Sequence, residues 1–299
     1  MGPLVDRRSN QRALARTLAL GCSILVVQLV GALWSGSLAL LADTVHVFAD
    51  VFGVGLALVA VSVAARPTKA RRTFGLFRLE ILATVANATL LLVMSAWILF
   101  QAWHRWFDPE TIDAPVMIAA AAYGLVANTV GMLLLRAGSR QSLTVRGAYL
   151  EVMSDAIGSA GVVVAGVVVL TTGWTRIDCL VSLGIALFIV PRAIMLLRES
   201  LSVLMESAPA GLDLEAVREH MVGVEQVVSV HDLHAWTITS GMVSLSAHVI
   251  VEPDPYTGGA GSAILEALDA CLLECFDIQH TTFQLESQDH FETEDPLHP

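Results

Sequence analysis

An apolar run from Leu38 to Ala64 carries three ionisable side chains, Asp43, His46 and Asp50. A second run, from about Gly147 to Leu170, carries Glu151 and Asp155. Runs of this length suit a helix crossing ~30 Å of hydrocarbon, which takes ~20 residues. Lipid offers the backbone no hydrogen-bond partners, so such a segment must be helical. His46 with Asp50, and Glu151 with Asp155, are each four apart, which sets each pair on one helix face about a turn apart. Charge at bilayer depth is costly, so these residues should face a bundle interior, pair with something and mark an ion path. Two such helices facing each other would offer one imidazole and three carboxylates to a divalent cation. The expectation is a membrane metal-ion transporter with His46, Asp50, Glu151 and Asp155 as ligands.

Composition agrees with a membrane class. Only 15% of the 299 residues are charged, against about 25% in soluble domains, and the mean hydropathy is +0.67. Charge is unevenly spread. From Glu206 onward, 17 acidic residues face one basic residue, Arg218, a balance of −16 within a total of −11. A basic, apolar front and an acidic tail read as a membrane domain joined to a soluble one. The acidic tail argues against nucleic acid as a partner. Cys22, Cys179, Cys271 and Cys275 form no C-x-x-C pair and no disulfide framework; Cys271 and Cys275, on one helix face, read as core thiols.

Six apolar runs follow in order, near Leu14–Leu33, Leu38–Ala64, Leu79–Phe100, Ala114–Leu135, Gly147–Leu170 and Ile177–Leu197. Trp34 to Ser37 reads as a tight turn, and Trp97, Trp103, Trp106 and Phe107 suit a membrane–water interface. Asn87 and Asn128, inside spans three and four, read as interhelical hydrogen-bond residues. Asp43 reads as a supporting or entrance group beside the metal ligands. Basic residues gather before span one (Arg7, Arg8, Arg12, Arg16), at Arg66–Arg72, at Arg136, Arg140 and Arg146, and at Arg198. The positive-inside rule then sets both termini in the cytoplasm.

Beyond Gly211 the texture changes. Leu212–Val222 reads as an amphipathic helix, Gln226–Ile238 and Met242–Glu252 as strands joined at Ser240-Gly241, Ser262–Phe276 as a helix and Thr281–Glu286 as a strand. The order α-β-β-α-β predicts a small two-layer, ferredoxin-like α+β domain. The expected division is an all-α six-helix transmembrane domain over 1–205, a cytoplasmic α+β domain over 206–291 and an acidic, disordered tail over 292–299. A two-residue turn would set Leu233 against His248 and His231 against Ile250. His231 and His248 would then be diagonal neighbours on one face, close enough to share a metal, with His234 on the other face. His280 and Glu286 lie six residues apart, roughly 20 Å along a strand, so an unbroken strand cannot bring both to one ion.

Several motifs together resemble the cation diffusion facilitator family of divalent-metal/proton antiporters. They are Leu41 to Asp50, Arg72-Thr73-Phe74-Gly75 before Arg78-Leu79-Glu80, Tyr149 to Gly158, Arg198-Glu199-Ser200, His231 to Trp236, Ser246 to Val249, and His280 to Glu286. The resemblance implies a homodimer in a bacterial inner membrane, a transport site between spans two and five, and alternating access. It also implies a cytoplasmic metal site at His231 and His248, completed by His280 or Glu286. Zinc-type relatives usually carry His where this chain has Glu151. Zinc, transported and regulatory, is the first expectation, with manganese, iron(II), cobalt and cadmium open because carboxylate suits harder ions. The loop Arg66–Arg72 lacks His, Asp and Glu, so a metal site found there in some relatives is expected to be absent.

Two other classes fit the residues less well. A membrane metal sensor that does not transport needs no carboxylates in both spans. An intramembrane metalloenzyme would need a general base beside a metal-bound water, and no H-E-x-x-H-like pairing occurs, so enzymatic activity is not expected.

Overall fold

The computed structural model describes residues 3–64, 76–136, 138–140, 143–239, 241–252 and 261–288. Arg66–Arg72 and Arg72–Gly75, Ser240 of the hairpin turn, the tail after residue 288, and the side chains of Arg7, Arg8, Arg12 and Arg140 lie outside that description. The chain separates into two compact units, Met1–Val59 with Ala83–Leu197 and Ala60–Leu82 with Arg198–Pro299.

The membrane portion is built from α1 (Pro3–Ser35), α2 (Leu38–Ala64), α3 (Arg78–Phe107), α4 (Ala114–Leu135), α5 (Leu143–Thr172) and α6 (Arg176–Leu204). Among the described residues these six helices are long and apolar enough to span a bilayer, and large apolar side chains such as Val26, Phe100, Val126, Ile157 and Phe188 point outward. That inversion of the soluble pattern is stable in lipid. The chain is a multi-pass membrane protein. α3 runs a turn and more beyond the expected Phe100, so Trp103, Trp106 and Phe107 belong to its helical end.

Helix ends are closed by side chains. Gly36, at φ +69°, makes the turn between α1 and α2, a conformation that favours glycine. The first turn of α2 is capped from α6: Asp178 accepts from Ser37 Oγ at 2.6 Å, Leu38 N at 2.7 Å and Ala39 N at 3.2 Å. A buried carboxylate there answers the orphan N–H groups and positive dipole end of α2. Arg105 Nη1 donates to Gly36 O at 2.6 Å and so ties α3 to the same corner. Asp113 caps α4, with Pro115 in its first turn.

The second unit contains α7 (Leu214–Val222), β1 (Val227–Thr239), β2 (Met242–Val251), α8 (Gly261–Phe276) and β3 (His280–Glu286). The six-helix bundle with an α-β-β-α-β domain is thus the fold. The sheet order is β1-β2-β3, antiparallel between β1 and β2 and parallel between β2 and β3. α8 makes the crossover that a parallel pair requires. Leu245, Ala247 and Val249 on β2 meet Val217 and Met221 of α7 and Ile264, Leu268 and Leu272 of α8 in one core. Asp213 caps α7 through Glu215 N and Ala216 N.

The hairpin register differs from the sequence expectation. His231 lies opposite His248, not Ile250, and His234 lies opposite Ser246. Irregularities between Thr237 and Thr239 and between His231 and His234 each slip the pairing by one residue. The second centres on Asp232, whose φ is +48°, as at a β-bulge. Because His248 and Ser246 are two apart on β2, His231 and His234 share a face, and the expectation that His234 points away is overturned.

Candidate metal sites

In the first unit, α2 contributes His46 and Asp50 and α5 contributes Glu151 and Asp155. His46 Nε2 is 3.4 Å from Asp155 Oδ1, and His46 Nδ1 is 3.8 Å from Asp50 Oδ2. One ligand-type atom from each of His46, Asp50 and Asp155 lies within 4.8 Å of the other two. Both His46 nitrogens, Asp50 Oδ2 and Asp155 Oδ1 are buried without a hydrogen-bond partner among the described residues. Polar atoms in that condition are costly, and converging on one point they form a cradle for a cation. Asp50, Glu151 and Asp155 also border a cavity of about 390 Å³ between α1, α2, α4 and α5.

Glu151 is not a member of the close trio. Its Oε2 lies 2.5 Å from Arg192 Nη2 on α6. Arg192 escaped the sequence reading. The available signal was that it is the one charged side chain between Asp178 and Arg198 on span six, next to Pro191.

Asp43 is fully buried behind the trio. Gln28 Nε2 of α1 donates to its Oδ2 at 2.7 Å, and Ser159 Oγ of α5 donates to the same oxygen at 2.8 Å. A Cβ on Gly158 would approach Asp43 Oδ1 to 2.7 Å, so α5 passes this carboxylate only as glycine. Asn128 and Asn87 do not make the expected interhelical hydrogen bonds among the described residues. Asn128 borders the cavity with Nδ2 unpaired, and Asn87 packs against Gly53.

The second unit holds another cluster on the sheet face away from its core. The His231 and His248 rings lie 5.1 Å apart. Glu286, buried on β3, sets Oε1 2.9 Å from His248 Nδ1 and Oε2 3.5 Å from His231 Nε2. These three form a group able to hold a metal. His280 lies opposite Ser244 at the other end of β3, whereas Glu286 lies opposite Ile250, so the strand brings Glu286 to the cluster and leaves His280 outside it. Asp232, which the sequence reading did not single out, links His234 (2.9 Å) with His248 (3.8 Å). The bulge turns it there, and no periodicity argument could have found it. Of the two cysteines expected in the core, Cys271 is only half-buried and Cys275 is exposed, so Cys275 is not a core thiol.

Two family models cover most of the chain: the cation efflux transmembrane domain matches residues 15–205 and the cation efflux protein cytoplasmic domain matches residues 209–288. The metal cation efflux system protein CzcD of Cupriavidus metallidurans is 39% identical over 281 residues, 93% of this chain and 87% of the relative. The zinc transporter ZitB of Pectobacterium atrosepticum is 35% identical over 93% of this chain and 86% of the relative. The cadmium, cobalt and zinc/H(+)-K(+) antiporter of Bacillus subtilis is 31% identical over 97% of this chain and 93% of the relative. With six spans, an appended α+β domain and these matches, the chain belongs to the cation diffusion facilitator family of divalent metal efflux transporters.

Proposed function

We propose that this protein exports zinc in exchange for protons by alternating access, as a homodimer in a bacterial inner membrane with both termini in the cytoplasm. The observation that carries the reading is the convergence of His46, Asp50 and Asp155, whose facing ligand atoms are buried without hydrogen-bond partners among the described residues, with Asp50 and Asp155 bordering a cavity. One imidazole and two carboxylates at this depth form a donor set that zinc accepts. Each must be deprotonated to bind, so ion and proton compete for the same atoms. Protons taken up in one orientation would displace the ion loaded in the other. Asp43, held by Gln28 and Ser159, fixes α1, α2 and α5 around the ligands without being one of them.

The cytoplasmic cluster of His231, His248 and Glu286 is proposed as a regulatory zinc site. The domain carries a strong negative balance, and a bound cation would offset part of the repulsion between two such domains. The names of the zinc-handling relatives support zinc as first substrate. The test is purified protein in sealed vesicles loaded with a pH-sensitive dye. Zinc movement one way with proton movement the other is expected, and zinc movement without a pH change would overturn the exchange.

A further inference from the structure

Arg192 sits within a membrane span, where an arginine is costly unless it is partnered. Its partner is Glu151, at 2.5 Å. The guanidinium is 39% exposed and the carboxylate 29%, so the pair lies partly desolvated beside the trio. Arginine has no acceptor and binds carboxylate through a fixed fork of donors. A carboxylate held this way is a weaker and misdirected metal donor. The geometry limits this to one oxygen: Oε2 is tied to Arg192, Oε1 is buried without a hydrogen-bond partner among the described residues, and Glu151 offers no oxygen within 4.8 Å of all three trio atoms, although it lies only one turn from Asp155. Charge agrees as well. Asp50, Glu151 and Asp155 bring three negative charges, and Arg192 offsets one. The remainder matches a single divalent ion with a neutral imidazole.

We infer that Arg192 is a specificity-determining residue that withholds Glu151 from the ion. It leaves a one-nitrogen, two-carboxylate cradle of His46, Asp50 and Asp155 and so favours zinc over harder divalent ions such as manganese. This rests on the transport reading of the trio. Without the guanidinium, Glu151 Oε2 is free to turn toward the ion together with the already unpartnered Oε1, and an added carboxylate benefits oxygen-seeking ions most. Arg192 acts through Glu151 and touches no ion itself.

The test uses full-length protein in vesicles, with zinc and manganese flux measured in parallel. Arg192→Gln should lower the zinc-to-manganese ratio by at least about threefold, within the range of coupling between contacting charges. Arg192→Lys, which keeps the charge but lacks the fork of donors, should fall between wild type and Arg192→Gln. In a Glu151→Gln background, adding Arg192→Gln should leave the ratio unchanged. That neutral double variant should still move zinc with its preference retained, and it serves if Arg192→Gln alone fails to fold. A folded Arg192→Gln protein with the wild-type ratio would overturn the inference, as would a folded double variant that no longer binds zinc, because Glu151 would then be a ligand. Wild-type protein that moves neither metal would overturn the transport reading and this inference with it.

Discussion

His46 Nε2 on α2 faces Asp155 Oδ1 on α5 across 3.4 Å, and neither atom has a hydrogen-bond partner among the described residues. Two helices from separate parts of the chain thus present an imidazole and a carboxylate to one point. A purely structural pair would close to hydrogen-bond distance, about 2.7–3.2 Å. The wider spacing suits two ligands flanking an ion.

Asp50→Ala and Asp155→Ala should each abolish metal flux while the protein stays folded and dimeric. Each removes one ligand from the trio together with the atom at which ion and proton compete. Size-exclusion chromatography and vesicle flux on the same preparation check both halves. Wild-type flux from either variant would sink the assignment of the trio.

Glu151→His should raise the zinc-over-manganese flux ratio, because it sets a nitrogen donor beside a cradle that the Arg192-held carboxylate does not complete. It also strands Arg192 next to a neutral ring. Absolute zinc flux should therefore fall, and adding Arg192→Gln should restore part of it. An unchanged ratio at both positions would mean that this corner of the site does not influence the ion.

The double variant His231→Ala/His248→Ala should lose zinc binding at the cytoplasmic domain of the full-length protein without losing the transport site. Glu286→Gln should weaken it as well, since its buried carboxylate approaches both rings. His280→Ala should leave binding near wild type. Zinc titration by calorimetry, with the trio disabled by Asp50→Ala, isolates this site. If His280→Ala costs as much as Glu286→Gln, the placement of β3 is wrong.

Asp178→Ala should destabilise the helical bundle by about 2–4 kcal/mol, because it leaves two buried N–H donors of α2 and the Ser37 hydroxyl without an acceptor. Asp178→Asn should cost less, since its side-chain oxygen can still accept. Thermal unfolding followed in detergent reads the difference. Equal losses would show that negative charge at the dipole end, rather than hydrogen bonding, holds this corner.

Much of the fold was legible in the residues alone because it rests on local periodicity. Apolar runs of bilayer length specify helices, and α2 and α4 begin and end where those runs do. A spacing of four sets His46 with Asp50 on one face whatever the helix packs against. Alternation and a Gly-bearing turn mark the β1–β2 hairpin. What only the tertiary structure decided concerns partners from distant elements. One extra residue at Asp232 moves His234 to the face of His231, and period-two reasoning cannot see a bulge before the strands are paired. Glu286 rather than His280 reaches the histidines because the parallel register of β3 on β2 puts it there. Arg192 finds Glu151 only when α6 packs beside α5, and Asp178 caps α2 from nearly 140 residues away. Spacing along one helix fixes which side chains share a face, whereas the choice of a partner across helices waits on packing, and packing is a property of the whole chain.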